Sequence, residues 1–231
     1  MLEGIGYDRD LARWASAADA RLGRVLRVER GIATVLTEKG EVRASYGGRL
    51  LGWIAADSAA GPCAGDWAVL RDWRDGRVTV ERLVPRRTAL TACVGGHVLA
   101  ANVDVVAVLA AADTVAEDPR RLEPIVALAR ASGARPVLVL TRCDLVDELP
   151  TVADCEVIAT SARTGLGVDR LRELLERQLT MAMVGAPDQG KASLMRALVG
   201  DLALRRAERR TLHVLPGGGA VIDTPSLRAV A

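Results

Sequence analysis

An apolar run that passes through two spaced glycines into a helix leaves a chain few ways to fold. Residues 180–200, TMAMVGAPDQGKASLMRALVG, are such a passage. Gly185 and Gly190 let the backbone turn its N–H groups inward, the helix start adds its positive end, and Lys191 can reach outer phosphates. The spacing Gly-x4-Gly-Lys predicts a phosphate loop in which Lys191 and the N–H groups of residues 188–192 are the anion ligands. A glycine-rich turn with a surface lysine is the bland alternative. One position departs from the pattern: Ala192 stands where a hydroxyl that binds Mg²⁺ is expected. Ser193 follows, about 100° further round the helix.

The sequence around this passage alternates strand and helix. VDVVAVLAA is a continuous apolar run of the kind found in buried parallel strands, PRRLEPIVALARASG is helical and stops at Gly133, and RPVLVLTRCD and CEVIATSARTG are further strands. GVDRLRELLERQL places Leu171, Leu174 and Leu175 on one helix face, and LHVLPGGGAVIDTP is a hairpin that ends in another buried strand. This rhythm predicts an α/β domain with a mostly parallel sheet, helices on both faces and ligands at the carboxyl ends of the strands.

The first part of the chain has a different period. Residues 8–20 predict a short helix carrying Leu11, Trp14 and Ala18. From Gly23 onward RVLRVERG, IATVLTEKG, EVRASYGG and AVLRDWRDGRVTVERLVP alternate with period two, with a turn at Asp75-Gly76. Five short strands suit a small all-β barrel of the OB-fold type, and an SH3-like barrel fits the pattern equally. RRTALTACVGGHVLAAN reads as a linker. The expected division is a helical segment at 1–20, a barrel at 21–88, a linker at 89–100 and the α/β domain at 101–231.

Net charge is only +2, so no global attraction to a polyanion is implied, but residues 21–90 hold 13 Lys/Arg against 8 Asp/Glu. A basic barrel beside a mildly acidic domain points to a polyanion partner for the barrel, or to an ordinary arginine-rich surface. Cys63, Cys93, Cys143 and Cys155 are scattered and the histidines are two, His97 and His213, so no zinc site assembles by spacing. The N-terminus lacks the apolar core of a signal peptide and no run is long enough to span a membrane, so the expectation is a cytoplasmic protein, and a monomer, with no membrane partner.

Three further strings follow predicted strands. TRCD, Thr141–Asp144, resembles the Thr/Asn-Lys-x-Asp motif whose aspartate pairs with guanine. TSA, Thr160–Ala162, resembles the Ser-Ala loop at the guanine O6. DTPS, Asp223–Ser226, resembles Asp-x-x-Gly, whose aspartate helps hold Mg²⁺. Each is weak singly, and Asp144 alone reads as a helix cap. Their order is informative: guanine motif, Ser-Ala loop, phosphate loop, Asp-x-x-Gly, a circular permutation of the ordinary GTPase order. Together with the N-terminal barrel and the segments VPRRTALTA, HVLAANVDVVAVL and LHVLPGGGAVIDTPSLRAV, this order resembles the ribosome small-subunit-dependent GTPase A family over nearly the whole chain. An unrelated P-loop kinase or ATPase would require all these matches to coincide.

The resemblance implies a circularly permuted P-loop GTPase domain behind an OB-fold barrel that contacts ribosomal RNA. It also implies action late in small-subunit assembly and GTP hydrolysis stimulated by that subunit. Carried onto this sequence, Thr141, Arg142, Asp144, Leu145, Ser161, Ala162, Gly185, Asp188, Gln189, Gly190, Lys191, Ala192 and Ser193 hold GTP or GDP. Asp223 orients Mg²⁺ through water. Arg24, Arg27, Arg43, Arg49 and Arg71 are candidate RNA phosphate contacts, and one or two of Tyr46, Trp53, Trp67 and Trp73 are expected on the RNA face, with Trp67 read as a barrel-packing residue.

The departures cluster where the reaction takes place. Besides Ala192, Arg142 replaces the motif lysine, Ser226 replaces the closing glycine, and GDLALRRAERRTLHVLPGG offers no secure counterpart for the family's Mg²⁺-binding switch threonine, with Thr211 already beside Leu212. Losing one preorganised contact to a reacting centre costs roughly 2.7–4 kcal/mol, so hydrolysis is expected to be impaired and the Mg²⁺ site weakened. The family's C-terminal zinc-binding domain is expected to be absent, since the sequence given reaches Ala231 just past DTPS. No catalytic residue is assigned: His213 reads as a structural strand residue and His97 as part of the linker. A sluggish GTPase and a catalytically inactive rRNA-binding module remain the two readings.

Overall fold

The computed structural model describes residues 2–15, 20–92, 96–115, 122–149, 155–176, 178–200 and 210–226. The start of the chain forms short helical turns, with α1 at Arg9–Ala12 capped by Asp8, whose carboxylate accepts from the N–H groups of Asp10 and Leu11. Leu11 is buried and Trp14 packs against the same core. Ala18 lies outside the described residues.

Five strands then close a barrel: β1 (Ala20–Glu29), β2 (Ile32–Thr37), β3 (Gly40–Tyr46), β4 (Trp67–Asp72) and β5 (Val78–Leu83), in the ring order β1-β2-β3-β5-β4. β3 pairs in parallel with β5, and a helix, α2 (Gly48–Ala56), sits between β3 and β4. That Greek-key order decides for the OB fold over the SH3-like alternative. The inside is filled by Val25, Ala33, Val35, Ala44, Ala68, Leu70 and Val80, and Leu50 of α2 joins them. The turn between β4 and β5 is the one expected at Asp75-Gly76, with Gly76 at φ +83°. The segment expected as a linker instead carries two short antiparallel strands, β6 (Ala89–Thr91) and β7 (Val98–Ala101).

The second half is a six-stranded sheet in the order β10-β9-β8-β11-β13-β12. Its strands are β8 (Val105–Ala111), β9 (Arg135–Thr141), β10 (Glu156–Ala159), β11 (Thr180–Gly185), β12 (Leu212–Val214) and β13 (Ala220–Asp223), with helices α3 (Ala112–Val115), α4 (Glu123–Ala131), α5 (Val168–Leu175) and α6 (Lys191–Val199). Only β12 runs antiparallel. Period two sorts the side chains cleanly. Val106, Val108, Leu138, Leu140, Ala182 and Val184 join one core with Ala129 of α4 and the flank of the barrel, while Val105, Leu109, Val137, Val139, Met181 and Met183 join another with Leu171, Leu175, Leu194 and Leu198 of α5 and α6. Both faces are buried, so the central strands are apolar throughout. The order of strands reverses between β8 and β11, which opens a crevice at their carboxyl ends.

Barrel and sheet share a seam built around Arg24. Its guanidinium donates to the carbonyls of Ile5 (2.8 Å) and Asn102 (3.0 Å) and to the Thr180 hydroxyl (3.1 Å), and lies 4.9 Å from the Trp67 ring centroid. This corrects the expectation of an RNA contact: Arg24 is 2 % exposed and points into the seam, where burial lowers its pKa to about 10 and leaves it charged at neutral pH. Beside it, Gly65 at φ +93° lies so close to Ala101 that a Cβ would stand 2.1 Å from the carbonyl oxygen.

Candidate functional site: a pocket across the carboxyl edge of the sheet

All four sequence strings lie at the carboxyl ends of parallel strands. The phosphate loop runs from Gly185, where a Cβ would meet the Leu109 carbonyl at 2.9 Å, to Gly190, where it would meet the Thr141 hydroxyl at 2.9 Å. Asp188 and Gly190 take left-handed conformations at φ +63° and +75°. Gln189 anchors the loop sideways: its Oε1 accepts from the Ala111 N–H (2.7 Å) at the end of β8, and its carbonyl accepts from the Thr141 hydroxyl (3.0 Å) at the end of β9. Ala192 and Ser193 lie exposed in the first turn of α6. Lys191 opens that helix, its Nζ 3.0 Å from Asp223 Oδ1 and donating also to the Thr224 carbonyl. Thr224 in turn donates its hydroxyl to the Met183 carbonyl (2.6 Å).

At the other end, the loops of TRCD and TSA are stitched together. The Cys143 N–H donates to the Thr160 carbonyl (3.1 Å), and the Thr160 N–H and hydroxyl both return to Leu140 O (2.7 and 2.8 Å). The Ser161 hydroxyl, with Arg163 (Nε to Oδ2, 2.8 Å), holds the Asp144 carboxyl below the usual carboxylate range. Arg142 adopts φ +57° and sends its guanidinium to Asp113 of α3 (3.0 Å). Thr141, Arg142, Asp144, Leu145, Ser161, Ala162, Arg163 and Gly190 surround a cavity of about 240 Å³. A larger hollow of about 820 Å³ lies over Asp188, Lys191, Ala192, His213, Asp223 and Ser226. Arg142, Gly190 and Ser193 line both. The carboxylate at 144 and the loop lysine at 191 thus face adjoining hollows along one edge.

One residue of this surface escaped the sequence reading, and a second, read as a structural strand residue, also lines the site. Arg163 occupies one oxygen of Asp144, and the only available hint was its place two residues past Ser161. His213 pairs across the strands with Val221, which puts it on the face that carries Asp223. Its imidazole lines the larger hollow, with a pKa lowered by burial and partly restored by Asp223.

The chain matches the family model described as RsgA GTPase over residues 83–231. It belongs to the RsgA GTPase family. A curated relative of Streptomyces coelicolor, the small ribosomal subunit biogenesis GTPase RsgA, is 36 % identical over 99 % of this chain and 69 % of its own length. Its counterpart RsgA 2 of Lactiplantibacillus plantarum is 34 % identical over 90 % of this chain and 65 % of its own. The chain therefore spans about two thirds of the length of these RsgA proteins. Among solved structures, YjeQ from Thermotoga maritima superposes with a TM-score of 0.69 at 23 % identity, covering 89 % of this chain and 74 % of that one. YloQ, a circularly permuted GTPase, superposes with a TM-score of 0.63 at 18 % identity over 93 % of this chain and 75 % of that one. These likenesses establish the fold, an OB barrel followed by a permuted α/β domain.

On the barrel, the RNA candidates separate. Arg43, Arg49 and Arg71 are exposed, whereas Arg27 is half-buried and paired with Glu29 (2.5 Å). Arg49 lies 5.2 Å from the Trp53 centroid and Arg71 4.2 Å from that of Trp73. Both rings are exposed, Trp67 is buried in β4 and Tyr46 is half-buried. No helix of the described residues is long and apolar enough to cross a membrane.

Proposed function

We propose that the chain binds guanine nucleotide along the carboxyl edge of its sheet, as an RsgA-family protein that acts on the small ribosomal subunit. The base would enter the smaller cavity with Asp144 accepting from its N1 and N2 hydrogens, and the phosphates would lie in the larger one against the loop N–H groups and Lys191. The observation that carries this reading is the meeting of the two hollows at Arg142, Gly190 and Ser193. It supports GTP or GDP as ligand, while the exposed Trp53 and Trp73, each with an arginine beside it, support docking on ribosomal RNA through the barrel; a cytoplasmic, monomeric protein is part of the same proposal.

The residues argue for impaired turnover. Ala192 presents a methyl where a magnesium ligand is needed, and Asp223 Oδ1 is paired with an ammonium. The described residues thus do not fit a tightly held magnesium ion. A second reading, an rRNA-docking module without turnover, is favoured by the same two residues together with the exposed Trp53 and Trp73. GTP turnover measured with and without purified small subunits, with Lys191→Ala as the blank, separates the two. Turnover above the blank supports the GTPase, and turnover equal to the blank in both conditions selects the docking module. ATP competing as well as GTP in a binding assay would remove the guanine assignment.

A further inference from the structure

Three residues that line the larger cavity carry a buried atom without a hydrogen bond among the described residues: Arg142 (Nε), Asp223 (Oδ1) and His213 (Nε2). Arg142 and Asp223 are ion-paired, with Asp113 and Lys191, which leaves the His213 nitrogen. His213 is 8 % exposed, and its Nε2 makes no hydrogen bond although the ring lines the hollow beside Lys191, Ser193 and Asp223. An unsatisfied buried nitrogen is unfavourable, and packing does not require one here. The side chains that fill this face of the sheet, among them Val221, Leu215 and Met195, are apolar. The charged groups facing the same hollow are Arg142, Lys191, Arg196, Asp188 and Asp223. Of these Lys191 is committed to Asp223 and Arg142 to Asp113.

We propose that His213 is a phosphate ligand of the nucleotide site. Its Nε2–H donates to an oxygen of the outer phosphate, and this contact forms as the phosphate draws Lys191 away from Asp223. The proposal rests on the guanine-nucleotide reading above and adds a specificity role to it. A neutral nitrogen donor recognises the phosphorylated end of the ligand without a metal ion, in a site whose loop lacks the metal-binding hydroxyl. No covalent bond is made or broken and no proton changes owner.

The test is calorimetry on the full chain in EDTA with guanosine, GDP and GTP, comparing wild type with His213→Phe, His213→Gln and Lys191→Ala, each first checked for a cooperative thermal transition. His213→Phe is expected to weaken GTP about ten-fold or more, the loss typical of a hydrogen bond to a charged group, with guanosine unchanged. His213→Gln, which keeps an N–H, should recover part of the loss. Should His213→Phe fail to fold, His213→Leu carries the same comparison. The proposal is overturned if GTP affinity is unaffected in these variants while Lys191→Ala abolishes it, or if guanosine and GTP weaken together. Wild type that binds none of the three ligands, even with magnesium added, removes the nucleotide reading and this inference at once.

Discussion

Asp188 brings a carboxylate into a loop otherwise suited to anions, and does so at φ +63°, where a side chain costs on the order of 1 kcal/mol relative to glycine. The charge opposes nucleotide binding, and the backbone strain lowers the stability of the fold. Asp188→Gly is therefore expected to tighten GDP and GTP several-fold and to raise the melting temperature; calorimetry and thermal unfolding that show no gain would contradict this account of the loop. Ala192→Ser restores a hydroxyl at the start of α6, and the expected result is stronger magnesium dependence for GTP than for GDP, since the metal bridges the outer two phosphates. Equal magnesium dependence in the variant and wild type would contradict it. At the base end, Asp144 is held below 3.8 by the Ser161 hydroxyl and Arg163. A depressed carboxylate keeps its ionised contacts above its unfolded value and loses them only as pH falls through the folded one. Guanine affinity should then stay flat from pH 8 to about 5 as far as Asp144 is concerned, and a titration with an acid limb near neutrality would implicate another group.

Among elements, the connection leaving the barrel rests on Arg86, whose guanidinium makes a two-point contact with the fully buried Asp66 (2.8 Å each) and donates to the carbonyls of Ala59 and Gly61 (2.7 Å each). Removing one partner of such a pair strands a buried charge, so Arg86→Ala is expected to lose about 3–5 kcal/mol in denaturant unfolding; a loss below about 1 kcal/mol would mean that Asp66 finds another partner. What sequence could show at this scale follows from burial. The strands β8, β9 and β11 were legible because two covered faces demand an unbroken apolar run, and the phosphate loop because glycine spacing is its own signature. Helix α2 was not: Gly48 and Gly52 weaken its propensity, no side chain caps it, and it is held mainly by Leu50 in the barrel. The β6–β7 ribbon was hidden by its brevity and by the Gly95-Gly96 pair. Arg24 was misjudged for a different reason. Its role depends on partners from distant segments, Ile5, Asn102 and Thr180, and no local pattern announces such a meeting. His213 is the strand residue that was expected, but its place on the face that carries Asp223 follows only from the pairing of β12 with β13.

Taken as a whole, the molecule is one body rather than two beads. Leu22, Leu26 and Leu36 of the barrel belong to the same core as Val106, Leu138 and Val184 of the sheet, and Arg24 and Gly65 close the seam. A single melting transition, seen alike by tryptophan fluorescence and far-ultraviolet circular dichroism, is the expected behaviour; two separated transitions would contradict the shared core. The exposed rings of Trp53 and Trp73, each with an arginine over it, predict salt-sensitive binding of single-stranded RNA that Trp73→Ala weakens roughly 5- to 100-fold. Affinity independent of salt would exclude this surface as the electrostatic contact. The motif order has one more outcome, felt while the protein is being made. Translation delivers β8, β9 and β10 first, yet β8 lies inside the finished sheet and its second neighbour is β11, which is synthesised only after α5. Until Thr180–Gly185 leaves the exit tunnel, the nascent chain carries a wholly apolar strand with one open edge, a species prone to self-association and a natural client for chaperones.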